Sequence, residues 1–180
     1  RFTWLEFRRV LFRSLECING GSIFSIVTAR GHNPETLKKG VYNLIMSNKN
    51  GISKSELVKN LVKYRDLTGE EKGTPNDMIK EYLDMCRFYP VSFGEGSATN
   101  PEEGKIKALK EFVAYVKNLS KYIGKKAFLK NDVRNNFIPS IGFSDDDIRN
   151  VQHVSKHFKD DPENILKVYS TAGGKKSRYS

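Results

Sequence analysis

Ile138-Pro-Ser-Ile-Gly-Phe-Ser-Asp-Asp-Asp-Ile-Arg-Asn-Val151 is the stretch whose reading decides the fold. An apolar run from Phe137 to Phe143 stops at Ser144 and three carboxylates, Asp145, Asp146 and Asp147. Seven mostly apolar positions predict a buried strand, even with Pro139 and Gly142 inside it. The carboxylates then fall at the carboxyl end of that strand, where open α/β sheets place their ligand sites. Adjacent carboxylates repel one another unless water or a cation compensates. A hard cation such as Mg²⁺, which takes oxygen ligands, suits that role. The alternative is that the acids cap a helix starting near Ile148, because Asp is a favoured N-cap and complements the first turn.

Working outward, strands and helices alternate. Ser22 to Thr28 is a β-branched run with strand character, and Asn33-Pro34 is a helix start leading to about Met46. Leu37, Val41, Leu44 and Ile45 supply the apolar face of that helix. Ser53 and Glu56 form a capping-box pattern that opens a second helix to about Tyr64. A third helix is predicted over Asn76 to Arg87, with Met78, Ile79, Leu83 and Met85 partly buried. Phe88 to Phe93 is a second strand, weakened by Pro90. The Gly/Ser/Asn loop 94–104 then delivers Lys105 to the start of the clearest helix, with Ile106, Leu109, Val113 and Val116 on one face. A helix over Ile148 to Phe158 and a last strand over Ile165 to Ser170 follow the acidic turn. The alternation predicts an α/β fold over residues 15–170: a Rossmann-like parallel sheet flanked by helices, with a small helical insertion near 47–75. The Gly- and Lys-rich tail 171–180 is expected to be basic and frayed.

With 180 residues, 38% hydrophobic and 29% charged, the chain is sized for one globular domain. No window has the apolar length of a membrane span, no signal peptide is visible, and Cys17 and Cys86 have neither metal-ligand spacing nor a disulfide framework. A cytoplasmic protein with no membrane partner is the expectation. The formal charge is +10, but Arg1, Arg8, Arg9 and Arg13 crowd one end and Lys175, Lys176 and Arg178 the other. That placement argues against a dedicated basic groove, while a mildly positive body still suits a phosphorylated substrate. Residues 1–14 look unlike the rest and resemble translated sequencing-adapter read-through, a non-native segment; an amphipathic helix is the alternative.

Three features therefore stand in order at one sheet edge: Thr28 closing a strand, Lys105 at a loop–helix junction, and the Asp145–Asp147 turn. A hydroxyl with neighbouring backbone N–H groups binds a phosphate oxygen, a lysine adds a point charge, and an acidic turn holds a metal. Such a set is a phosphoryl-transfer site that lacks a nucleophile.

In this respect the chain resembles the haloacid dehalogenase (HAD) superfamily of phosphohydrolases, over about residues 22–170. Ile26-Val-Thr-Ala-Arg-Gly31 is similar to that family's second motif, matching Thr28; Gly104-Lys-Ile-Lys-Ala-Leu109 resembles the third, matching Lys105; Ile141-Gly-Phe-Ser-Asp-Asp-Asp147 resembles the fourth, matching Asp145 and Asp146. The family's first motif, an Asp-x-Asp on a strand in the middle of its sheet, has no counterpart, because no Asp precedes Asp66. The expectation is a fragment truncated before its nucleophile, inactive as given and with an opened core. In the intact parent the resemblance implies a Mg²⁺-dependent phosphatase in which an Asp attacks phosphorus to give an aspartyl-phosphate. Thr28, Ala29 and Arg30 would meet the phosphoryl group, Lys105 would neutralise developing charge, and Asp145 and Asp146 would hold Mg²⁺. The substrate is open among a sugar phosphate, a nucleotide, a phosphoprotein and a nucleic-acid end. Two other readings remain: a HAD-fold protein without catalysis, and a non-enzymatic nucleic-acid-binding domain using Lys117 to Lys130 and the basic tail.

Overall fold

The computed structural model describes residues 15–28, 33–49, 51–91, 100–124, 141–161, 166–171 and 176–180. The chain is mixed α/β. After a helical turn over 15–19 come β1 (Ser25–Thr28), α1 (Pro34–Ser47), α2 (Lys54–Thr68), α3 (Pro75–Met85) and β2 (Arg87–Pro90). Then follow α4 (Pro101–Gly124), β3 (Ile141–Asp145), α5 (Ile148–Phe158), β4 (Leu166–Ser170) and β5 (Ser177–Arg178).

Local chemistry sets the helix boundaries. Asn33 accepts the Glu35 N–H at 2.9 Å with Pro34 at the first helical position, and Asn48 ends α1 in the left-handed region at φ 53°. Ser53 accepts the Glu56 N–H at 3.2 Å, and Gly69 closes α2 at φ 70°. Thr74 repeats the arrangement before Pro75. Caps of this kind contribute about 1 kcal/mol each.

Two parallel pairs form, and they lie in separate sheets. β1 pairs with β2, aligning Thr28 with Pro90; β3 pairs with β4, aligning Asp145 with Ser170. The single continuous sheet expected from the sequence is not formed among the described residues. Each pair has its own core. Ile18, Phe24, Ile26, Val41, Ile45, Leu57, Ile79, Tyr82 and Leu83 bury between α1, α2, α3 and β1, with the Tyr82 hydroxyl donating to the Ser22 carbonyl at 2.5 Å. Ile106, Leu109, Phe112, Val113, Ile141, Val151, Val154, Leu166 and Val168 bury where α4 and α5 cover β3 and β4. Ile23 and Tyr89, flanking or within the first sheet, pack against this second core, and α4 touches β1. α4 is thus the element that both sheets share.

Several boundaries move relative to the sequence reading. α4 begins at Pro101, so Lys105 sits a full turn inside it rather than at the loop–helix junction. Glu102 and Glu103 explain the early start, since acids in the first turn complement the helix dipole. Met85, expected partly buried, is exposed. The 171–180 tail does not simply fray: Ser177–Arg178 adds to β4 as an antiparallel strand, placing Arg178 opposite Tyr169. The residues 1–14 segment lies outside the described residues, as does 137–140, where the acidic strand was expected to begin. No helix among the described residues is long and apolar enough to cross a membrane.

Candidate functional site

β3 ends at Asp145, and the turn that follows is built around its carboxylate. Oδ1 accepts the Asp147 N–H at 2.8 Å, which folds the chain back on itself. Oδ2 accepts the Lys105 Nζ–H at 3.2 Å and the Asn150 amide at 3.1 Å. The Asp145 carbonyl accepts the Thr171 N–H at 2.9 Å, which ties the ends of β3 and β4 together. The pair is sheltered: the Lys105 side chain is 19% exposed and that of Asp145 13%. Both charges keep hydrogen-bonded partners, as partly buried charges must.

Asp147 has a different role. It is the N-cap of α5, accepting the Arg149 N–H at 3.0 Å, and its carboxylate also takes the Arg149 guanidinium at 2.8 Å. Those hydrogen bonds from Arg149 hold the Asp147 carboxyl below its usual range. Asp146, between them, is exposed on the bend. The acidic run thus divides its labour, with Asp145 facing Lys105, Asp146 facing outward and Asp147 capping.

Thr28 closes β1 at its carboxyl end, where its carbonyl accepts the Val91 N–H at 2.9 Å. It belongs to the other sheet, whose strand β1 packs against α4, the helix that carries Lys105. Ala29 and Arg30 lie outside the described residues. The structure therefore brings Lys105 and Asp145 into direct contact, and sets Thr28 on the strand beneath the same helix.

Two residues were missed by sequence reasoning. Asn150 reads as an ordinary helix-surface residue, yet its amide holds Asp145, the candidate metal ligand. The signal was there: with Asp147 as cap, Asn150 is the third helical residue, the position from which side chains reach back over the N-terminus. Thr171 follows β4, is only 9% exposed, and its Oγ1 has no hydrogen-bond partner. Nothing in its sequence context marks it.

Among the described residues no three carboxylate, imidazole or thiol groups converge into a ready-made metal cage. Mg²⁺ keeps several waters and takes one or two carboxylates; at this turn Asp145 and Asp146 are consecutive in the chain, Asp145 with both oxygens already accepting hydrogen bonds and Asp146 exposed. Nearby, a groove of ≈ 260 Å³ between α4 and α5 is lined by Glu103, Ile106, Lys107, Lys110, His153 and His157, without Lys105 or Asp145. Comparison with known proteins returns no match: no family model, curated relative or solved structure is similar to the chain.

Proposed function

We infer that the chain is the core of a HAD-like, Mg²⁺-dependent phosphomonoesterase. The observation that carries the reading is the Lys105–Asp145 contact. The resemblance pairs a third-motif lysine with a fourth-motif aspartate at one phosphoryl site, and two residues far apart in sequence meet at a strand's carboxyl end. The division into two parallel pairs supports it as well. The family's Asp-x-Asp strand occupies the middle of its sheet, and here β1–β2 and β3–β4 stand apart under one shared helix. A Rossmann-like sheet completed by a further strand between the pairs is the architecture proposed.

In that architecture Lys105 neutralises charge on the phosphoryl oxygens while Asp145 keeps its ammonium pointed into the site. Asn150 and the Asp147 N–H fix the Asp145 carboxylate from the other side. The Thr28 hydroxyl, at the end of β1, orients the phosphoryl group. Asp145 and Asp146 would hold Mg²⁺, which supplies charge screening between nucleophile and phosphate. An Asp-x-Asp nucleophile, implied by the resemblance alone, would attack phosphorus, and a phosphorylated small molecule, nucleotide or nucleic-acid end would be the substrate.

Mg²⁺ titration followed by NMR tests the site on this chain. Saturable shifts centred on Asp145 and Asp146, lost in Asp145→Asn/Asp146→Asn, support the reading. Shifts spread evenly over the surface carboxylates contradict it.

A further inference from the structure

α4 and α5 pack against each other over β3 and β4, and the groove of ≈ 260 Å³ runs between them. Glu103, Lys107 and Lys110 line it from α4, at the i, i+4, i+7 spacing that keeps side chains on one helix face. His153 and His157 line it from α5, one turn apart at i, i+4. Ile106, buried at the helix contact, is the apolar member of the lining. The volume is below the roughly 300–1,000 Å³ of sites for drug-sized ligands, so a small ion or a short ester fits it.

The charged groups of the groove are uncommitted. All five polar side chains are exposed, and among the described residues none of them makes a hydrogen bond or an ion pair. Glu103 stands four residues before Lys107, the order that favours a helix-surface pair, and still the two do not pair. The His157 ring meets Phe158 edge-on, with 5.3 Å between centroids, which leaves its nitrogens unengaged. Two lysines against one glutamate set the lining at +1 with neutral imidazoles and +3 with both protonated. Burial first, then Lys110 and His153, hold the His157 imidazole below its ordinary pKa, so positive charges already oppose one another here. The other surroundings of α5 do not relieve this. β3 and β4 contribute Ile141, Leu166 and Val168 to the core beneath it, Ser180 meets it at the Ser155 hydroxyl, and Lys117 and Asp161 pair with each other at 3.9 Å.

We propose that the α4–α5 groove binds a tetrahedral dianion, phosphate or a small phosphate ester, between the Lys107 and Lys110 ammonium groups and the ring N–H groups of His153 and His157. Lysine supplies charge and rotatable donors, and a protonated imidazole donates from both nitrogens. A divalent cation would use the two imidazoles but meet the two lysines. The groove contains neither Lys105 nor Asp145, so it stands or falls apart from the phosphatase reading.

The test is histidine NMR on the full chain at low ionic strength, with sodium sulfate titrated against sodium chloride at matched ionic strength. Sulfate stays doubly charged between about pH 5 and pH 8, so any pH dependence belongs to the protein. Sulfate should shift His153 and His157 saturably and raise the His157 pKa. By reciprocity it should bind about 3- to 10-fold more tightly at pH 5 than at pH 8. Lys107→Gln/Lys110→Gln should weaken binding at least about 10-fold. His153→Gln/His157→Gln, followed through the α5 amides, should still bind and lose the pH dependence. At pH 8, phenyl phosphate binding more tightly than inorganic phosphate assigns the groove to an ester whose organic part covers Ile106; equal or weaker binding assigns it to the free ion. These side chains are at the surface, and circular dichroism checks that each variant folds. Chloride shifting the histidines as sulfate does overturns the proposal, and so does parent-like binding by Lys107→Gln/Lys110→Gln. A response to Zn²⁺ without one to sulfate also overturns it, because the i, i+4 imidazoles would then be a metal clip.

Discussion

Lys105 Nζ donates to Asp145 Oδ2 at 3.2 Å, although 40 residues separate the two in the chain. The contact joins the helix that both sheets share to the end of β3, so it is structural as well as chemical. Lys105→Met should destabilise the protein by about 1–3 kcal/mol, the worth of a hydrogen bond to a charged group, because a sheltered carboxylate loses a donor. Asp145→Asn should cost a similar amount. Urea denaturation of both singles and the double variant should give a coupling of at least about 0.5 kcal/mol. Additive losses would mean that the ion pair does nothing for the fold.

Asn150→Ala removes the second donor on Asp145 Oδ2. The expected loss is about 0.5–1.5 kcal/mol by the same denaturation assay, with α5 helicity intact because Asp147 still caps it. Asn150→Asp should be worse than alanine, since it sets a second carboxylate against Asp145. Equal stability of all three proteins would remove Asn150 from the site.

His157 gives the protein a pH dependence. Its imidazole sits in the α4–α5 groove, and burial first, then Lys110 and His153, pull its pKa below the ordinary value of about 6.5. Glu103 and Lys107 complete its charged surroundings. The folded protein therefore binds this proton less readily than the unfolded chain, so the histidine's contribution is full above the unfolded pKa. It is lost as pH falls through the folded value. Histidine NMR titration should place His157 below 6.5, and His157→Gln should make stability flatter between about pH 7 and pH 5. An unshifted titration would contradict the sheltering of His157 in the groove.

The two thiols should behave differently. Cys86 is buried beside Tyr82 and Phe24, and burial pushes its thiol up to about 12, which leaves almost no thiolate at neutral pH. Cys17 is exposed. Iodoacetamide on the native protein should modify Cys17 and spare Cys86, and both should react in denaturant. Native-state labelling of Cys86 would show that the α1–α3 core opens readily.

The helices were legible because their signals are local. Asn33-Pro34, Ser53 with Glu56, and Asp147 before Ile148 each announce a cap within a few residues, and each cap is formed. Strand starts were less legible: β1 begins at Ser25, three residues after the β-branched run does, because pairing with Arg87–Pro90 sets its length. The split of the sheet could not be read from the periodicity of any strand, since it depends on which strands find partners. At the site, Lys105 and Asp145 could be placed at one sheet edge from the sequence. Their contact depends on how deep in α4 the lysine lies, which Glu102 and Glu103 decide. The strand at Ser177–Arg178 was missed for a similar reason: its neighbours are a ring and a strand edge that only the folded chain supplies.

Phosphate release by the complete open reading frame tests the central claim most directly. With a generic aryl phosphate, turnover should require Mg²⁺, fall by at least about 100-fold in Lys105→Met, and vanish in Asp145→Asn/Asp146→Asn. Turnover that ignores Mg²⁺, or that survives both changes, would show that the Lys105–Asp145 pair is a structural ion pair and not part of a phosphoryl site.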